Sequence, residues 1–341
     1  MKEFLDALDA NVAELTGPGE DLEVIEQQID GQPFRVYRNA GPTLREYLEQ
    51  SKEHSDETFL VYQNERYTFG QTYQLSAQLA QALVQDFGVK KGDRVAIAMR
   101  NNPQWCFAFM AIVSIRAIAV PMNAWWTTEE LHYGFSDSGA TLVISDPQRC
   151  DRIRPFASEL NLTQLVVDDL NGGVAGELDF EAMLNKYPGA GMPAAKIEPE
   201  DGATILYTSG STGMPKGVFS SHRSILSALY SWLTGSFAAV ATVEQLAPQF
   251  APPALDQQAA ILLTIPLFHV TASHSIFLLS IIVGRKMVIM YKWDVEVAME
   301  LIERERISSF SGVPTMSAEL EQGALTTKRD LSTLREISAG G

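Results

Sequence analysis

The sequence predicts an α/β fold in which parallel strands are covered by helices. Two observations carry this. Short apolar runs with strand character alternate with amphipathic helical segments along most of the 341 residues. Strand–helix repetition at this spacing marks a parallel sheet, because a parallel connection needs a crossover helix. The composition is 46% hydrophobic and 20% charged, which excludes a wholly disordered chain and a polytopic membrane protein. At roughly 150 residues per domain, the length gives two units, residues 1–200 with an acidic N-terminal segment and residues 201–341.

The elements follow in order. Phe59–Tyr62 and Arg66–Phe69 flank Gln63-Asn64-Glu65 as a hairpin. A helix follows, with Tyr73, Leu75, Leu79 and Leu83 apolar and Gly88 as its stop. Arg94–Met99 reads as a buried strand, and Pro103 opens an apolar helix through Trp105, Phe109 and Ile112. Ala117–Val120 is a further strand, and Thr127-Thr128-Glu129-Glu130 fits a capping box. Thr141–Ile144 and Leu165–Val167 complete a first strand series. Residues 171–200, rich in Gly, Pro and Ala, read as a connection. A second series runs through Ala203–Tyr207, Ile261–Ile265, Met287–Met290, Ile307–Phe310 and Ile337-Ser338. From Ser224 to Gly284 the only charges are Glu244 and Asp256, and Ala238–Ala260 is Ala/Gln/Pro-rich. That stretch reads either as a functional flap or as a tolerated insertion.

Charge and cysteine content narrow the function classes. The net charge is −16, of which residues 1–60 contribute −9 from 14 acids and five bases. Such a chain is a poor partner for nucleic acid or an anionic membrane. Residues 201–290 hold three acids and four bases, so an anionic small molecule is accommodated there. Cys106 and Cys150 are too few for a disulfide framework or a four-cysteine zinc site, and both read as buried and reduced. The N-terminus lacks a charged region leading into an apolar core, and no consecutive apolar run nears the roughly 18 residues a bilayer needs. The cytoplasm is the expected location, with no transmembrane segment.

The most informative stretch is Tyr207-Thr208-Ser209-Gly210-Ser211-Thr212-Gly213-Met214-Pro215-Lys216-Gly217. A buried strand enters a loop of glycines, hydroxyls and one lysine. Glycines let backbone amides approach phosphate oxygens, hydroxyls add donors, and the lysine adds a point charge. Ser220 or Ser221 then caps a helix whose apolar face is Ile225, Leu229 and Leu233, with His222 at its start. A Walker A loop is excluded, since Pro215 and Gly217 occupy the positions that pattern gives to Gly and Ser/Thr.

This loop resembles the phosphate-binding motif of the adenylate-forming, or AMP-binding, superfamily, with the form Thr-Ser-Gly-Ser/Thr-Thr-Gly-x-Pro-Lys-Gly met at every position from Thr208 to Gly217. Arg66–Phe69, Gly92–Val95, Asn101-Asn102, Ala119–Asn123, Pro266-Leu267-Phe268-His269 and Ser338–Gly341 resemble further family segments. The resemblance, closest to the acyl-CoA synthetase branch, implies two β-sheets flanked by helices in an αβαβα arrangement, without the family's small C-terminal lobe. It implies ATP, Mg²⁺ and CoA as cofactors and a small-molecule carboxylic acid as partner. The acid would become an acyl-adenylate and then a thioester. A homodimer is compatible with the sequence.

Carried onto this chain, the resemblance gives Thr208, Ser209, Gly210, Ser211, Thr212, Gly213 and Lys216 to the nucleotide phosphates and His269 to the chemistry. It sets Gly340 and Gly341 near the adenine and makes Gly312 part of a pocket floor, while leaving the metal ligands unidentified. Ile225, Leu229 and Phe277 are expected as acyl-pocket walls. Ala272 departs from the glycine that relatives often carry three residues after the histidine. Amino-acid-activating relatives have Asp after the phenylalanine where this chain has His269, which disfavours an amino-acid substrate. The charge-poor 224–284 stretch favours a medium- or long-chain fatty acid over an aryl acid. The family pattern continues beyond Gly341 with acidic metal and ribose residues and a catalytic lysine. The expectation is therefore an N-terminal portion, inactive alone, and the alternative is a non-catalytic nucleotide- or acyl-binding module.

Overall fold

The computed structural model describes residues 1–167, 177–208, 213–251 and 256–339. Among these, the apolar runs pair into two large sheets. The first has seven strands in the order Lys216–Ser221, Gly202–Thr208, Ile118–Pro121, Arg94–Ala98, Leu142–Ser145, Thr163–Val166 and Glu177–Asp179. All its pairings are parallel except the hairpin of Gly202–Thr208 with Lys216–Ser221. The second has six strands in the order Glu336–Ala339, Ser309–Gly312, Ala260–Leu263, Lys286–Ile289, Thr58–Tyr62 and Glu65–Thr68. It too is parallel apart from its one hairpin, Thr58–Tyr62 with Glu65–Thr68.

The sheets interleave along the chain, which corrects the division into residues 1–200 and 201–341. Thr58–Tyr62 pairs with Lys286–Ile289, and Gly202–Thr208 pairs with Ile118–Pro121. Parallel pairing does not require neighbours in sequence, so a boundary drawn from strand order cannot find this.

The strand period of two separates three apolar clusters. Val95 and Ile97 point to the central cluster while Ala96 and Ala98 point to an outer one. In the second sheet Leu60, Leu263 and Ile289 face the centre, and Val61, Leu262 and Val288 face outward. Helices fill all three spaces. Thr128–Ser138 and Pro147–Ala157 cover the outer face of the first sheet. Phe69–Gln85, Pro103–Ser114 and part of His222–Leu246 lie between the sheets. Val295–Glu305 and Pro314–Ala324 cover the second sheet. The result is the αβαβα layering expected above.

Local chemistry explains the elements. Every residue of Pro103–Ser114 is buried, as an all-round apolar helix requires, and the Asn102 side chain accepts from the Trp105 amide at 2.9 Å to start it. The Thr127/Glu130 capping box forms as predicted, and Thr68 with Gln71 makes a second one. Cys106 and Cys150 are buried free thiols.

Several expectations are corrected. The Ala/Gln/Pro-rich stretch begins as helix, because His222–Leu246 continues to residue 246, and residues 252–255 lie outside the described residues. The connection at 171–200 contains the edge strand Glu177–Asp179 and the helix Phe180–Asn185, while 168–176 lie outside the described residues. The helix His222–Leu246 is long and apolar enough to cross a membrane by length and composition. Here one face of it packs into the protein, while Trp232, Phe237 and Val240 remain exposed on the other. Leu229 is fully buried, Tyr230 Oη donates to the Asn39 carbonyl at 3.2 Å, and Asn11 Nδ2 donates to Thr242 Oγ1 at 2.9 Å.

Candidate active site

Three strands of each sheet end at one cavity of about 1070 Å³. Arg100 and Asn101 follow strand Arg94–Ala98, Pro121 ends Ile118–Pro121, and Thr208 ends Gly202–Thr208. From the second sheet, Thr264–Pro266 and Phe268–Thr271 follow Ala260–Leu263, Tyr291–Trp293 follow Lys286–Ile289, and Val313 follows Ser309–Gly312. Ligands of α/β sheets bind at the carboxyl ends of strands, where the connecting loops diverge.

The glycine-and-hydroxyl loop closes a β-hairpin instead of leading directly into a helix. Thr208 pairs with Lys216, and strand Lys216–Ser221 then delivers Ser221 as the cap of the next helix, its Oγ accepting from the Ser224 amide at 3.2 Å. Thr208, Gly213, Met214 and Pro215 line the cavity. Gly213 has φ +130°, and among the described residues, its chain neighbours aside, no atom lies within 4 Å of where a Cβ would sit, which leaves room there for a ligand to approach the backbone. A Cβ on Gly217 would lie 2.8 Å from Ile205 Cγ2, so that glycine is required for hairpin packing. Lys216 is exposed beside the cavity but does not line it. Ser209, Gly210, Ser211 and Thr212 lie outside the described residues, as do Gly340 and Gly341.

The helix Thr128–Ser138 braces this hairpin. Tyr133 Oη donates to the Pro215 carbonyl at 3.0 Å, and Tyr207 Oη donates to Asp137 Oδ2 at 2.7 Å. Burial, reinforced by the Asp137 carboxylate, raises the Tyr207 phenol and keeps it protonated as that donor. The Tyr133–Asp137 segment thus supports the loop from behind.

His269 lines the cavity on the opposite sheet's side. Its amide donates to the Pro266 carbonyl at 3.0 Å, and its carbonyl accepts from Ser273 Oγ at 3.0 Å, at the start of a π-helix spanning Thr271–Leu278. Short π-helical segments recur at functional sites. The ring lies 4.6 Å from that of Phe268 and 6.5 Å from that of Trp125. Partial desolvation lowers its pKa below the ordinary imidazole value, which holds it neutral near pH 7. Ala272 is fully buried against the core.

The expected acyl-pocket walls are corrected. Leu229 and Phe277 are fully buried and Ile225 is 2% exposed, all in the central cluster, and none of them lines the cavity. An apolar helical stripe fills a core or a pocket with the same residue types, so the pattern alone does not separate the two. Gly312 ends its strand against the Phe310 ring, 2.4 Å from where a Cβ would sit, and Val313 and Met316 line the cavity in its place.

The cavity also holds residues that sequence reasoning missed. Arg100 stacks over the Tyr291 ring at 4.9 Å, has a buried Nε without a hydrogen-bond partner, and makes no ion pair among the described residues. Lys292 adds a second positive charge, against the single carboxylate of Glu130. The available signal was an arginine placed directly after the uncharged run Val95–Met99. Among the described residues no group of three or more His, Cys, Asp or Glu side chains assembles a metal site.

Comparison with known proteins agrees with this architecture. The chain is 28% identical over 279 residues to 4-coumarate–CoA ligase 3 of Oryza sativa subsp. japonica, covering 81% of this chain and 46% of that protein. It is 27% identical over 275 residues to 4-coumarate–CoA ligase 3 of Arabidopsis thaliana, covering 80% and 46%. The chain thus spans about half the length of these curated relatives. Among solved structures it is similar to the inhibitor-bound N-terminal domain of FACL13 from Mycobacterium tuberculosis. That match has a TM-score of 0.71 and 26% identity over 88% of this chain and 70% of that one. The anthranilate CoA ligase AuaEII with anthranoyl-AMP shares the fold at a TM-score of 0.70 and 24% identity, over 88% of this chain and 55% of that one. A family model described as AMP-binding enzyme matches residues 47–341, nearly the whole chain, and the chain belongs to that family.

Proposed function

We propose that this chain supplies the nucleotide and acid sites of an AMP-forming acid–thiol ligase. One observation carries the reading: the stem of the glycine-rich hairpin and His269, from different sheets, open onto the same cavity. In such a reaction the carboxylate oxygen attacks the α-phosphorus of ATP, a new P–O bond forms, and pyrophosphate leaves with the electron pair. The CoA thiolate then attacks the acyl carbonyl and AMP leaves. Both partners of the first step are anions, so the site must neutralise charge before they meet. Thr208, Gly213 and Lys216, with Ser209–Thr212, would hold the outer phosphates. Arg100 and Lys292 make the rest of the cavity positive, and neutral His269 offers the acid a ring without a competing charge.

We infer a medium- or long-chain fatty acid as the acyl donor from the aliphatic side chains of Ile265, Val270, Val313 and Met316 that line the cavity. An aryl acid is a second reading, favoured by the ring cluster of Trp125, Phe268 and His269 at the cavity. The experiment, run on the ligase complete with its C-terminal lobe, is a panel of alkanoic and aromatic acids with ATP, Mg²⁺ and CoA, following pyrophosphate and AMP release. A fatty-acid enzyme should prefer dodecanoate to 4-coumarate by at least about tenfold in kcat/KM. Lys216→Ala should lower kcat/KM for ATP on the order of 100-fold. Nucleotide turnover that ignores every acid in the panel would refute the ligase reading.

A further inference from the structure

The two consecutive asparagines after strand Arg94–Ala98 do different work. Asn102 caps the buried helix Pro103–Ser114. Asn101 reaches across to the other sheet. Its Nδ2 donates to the Ile265 carbonyl at 2.9 Å, and its Oδ1 accepts from the Leu267 amide at 2.8 Å. These two backbone groups flank Pro266, which has no N–H of its own. Asn101 is 6% exposed, Ile265 8% and Leu267 1%, so both bonds are largely shielded from bulk water. One side-chain amide therefore satisfies both free backbone groups of the loop, as a neighbouring strand would.

We propose that Asn101 is a positioning residue that fixes the His269 imidazole in the cavity by clamping the Ile265–Leu267 loop. The connection is continuous. The clamped loop presents the Pro266 carbonyl, which accepts the His269 amide at 3.0 Å. On its other side His269 is tied through its carbonyl to the Ala272 and Ser273 amides and to Ser273 Oγ. His269 is thus held between a loop anchored to the first sheet and a π-helix buried in the core. The clamp also joins the segments that follow two strands from different sheets. Its importance for turnover rests on the ligase reading; its effect on the histidine does not.

The test separates the two. In the wild type, the Leu267 amide should exchange with solvent at least about tenfold more slowly than an open loop amide, although it lies outside any strand or helix. In Asn101→Leu both loop groups lose their partner, and in Asn101→Asp the Ile265 carbonyl faces an oxygen. The ¹³Cε1–¹H signal of the His269 ring should shift in both variants, and in Asn101→Leu, which adds no charge, its titration should move up toward the ordinary imidazole value as the ring gains water. Arg100, Glu130, Tyr207, Tyr291 and Lys292 line the same cavity and are unchanged in every arm. Asn102→Ala, which removes a helix cap of comparable worth, is the control and should leave the His269 signal in place. In the ligase assay, Asn101→Asp should raise KM for the acid about tenfold and leave KM for ATP unmoved. A folded Asn101 variant with an unchanged His269 signal overturns the proposal. If neither variant folds, an unprotected Leu267 amide in the wild type overturns it and a protected one supports it. Absent activity of the complete ligase beside a shifted His269 signal would count against the proposed function and leave the clamp standing.

Discussion

Lowering the pH from 7 to 4.5 should destabilise the protein steeply, through two histidines buried as neutral rings. His222 and His274 are 0% and 3% exposed, and desolvation pushes each down to about 4. The His222 Nδ1 lone pair accepts the Leu44 amide at 3.1 Å, so protonation there breaks a buried bond. His222 also begins the helix His222–Leu246, where the helix dipole opposes a positive charge. His274 pairs with Ser273 Oγ at 2.8 Å and packs edge-on against Phe109. The folded pKa lies below the unfolded one, so below about pH 6.5 the unfolded chain binds more protons and stability falls with pH. A depression from 6.5 to about 4 is worth on the order of 3 kcal/mol for each ring once the pH reaches 4. That is a large share of a total stability of roughly 5–15 kcal/mol. Carboxylates with lowered pKa values, such as Glu305 and Asp201, lose their contribution only below their ordinary values of 4.5 and 3.8, so the window above belongs to the histidines. Urea denaturation across pH 8 to 4.5 should give a flat midpoint down to about pH 6.5 and a fall below it. A midpoint that stays level to pH 5 would contradict this account.

Glu305→Ala should cost about 3 kcal/mol, whereas removing a surface carboxylate costs a few tenths. The Glu305 side chain is 2% exposed at the end of helix Val295–Glu305. It accepts from Arg66 Nη1 and Nη2 at 3.0 and 2.5 Å, from Arg304 Nε at 3.1 Å and from Lys286 Nζ at 3.3 Å. Burial alone would raise its pKa, but the Arg66 hydrogen bonds and the Lys286 charge more than offset that, and the net shift is downward. The carboxylate joins the hairpin strand Glu65–Thr68, the strand Lys286–Ile289 and the covering helix. Removing it leaves the 16%-exposed Lys286 ammonium without its carboxylate. Chemical denaturation of the wild type, Glu305→Ala and Glu305→Gln at pH 7 measures the effect. A loss below about 0.5 kcal/mol for the alanine variant would show the cluster to be a solvated surface group.

The sequence was readable where one local device decides the outcome. The Thr127/Glu130 box, Pro103 at the start of an apolar helix, and the turn at Gln63 with its φ of 53° were each visible in a few residues. The Asp30-Gly31 turn between strands Val24–Ile29 and Gln32–Tyr37 was equally local and was overlooked. What could not be read was set by distant pairing. Strand Lys216–Ser221 resembles a helix approach until it pairs with Gly202–Thr208, and strand Thr58–Tyr62 gives no sign that Lys286–Ile289 will be its neighbour. The site divided in the same way. His269 and the hairpin carry side chains whose chemistry is specific. Ile225, Leu229 and Phe277 carry only hydrophobicity, which serves a core as well as a pocket. Asn101 was noticed only as part of a resemblance, because its role depends on Ile265 and Leu267, more than 160 residues away.

The central claim is that a nucleotide's phosphates sit against the hairpin loop at the mouth of the cavity between the sheets. A crystal of the protein grown with a non-hydrolysable ATP analogue and Mg²⁺ tests it most directly. The account predicts density for the phosphates against Thr208 and the Gly213 backbone, within reach of Lys216. The analogue seated anywhere else, with this loop making no contact to it, would contradict the account.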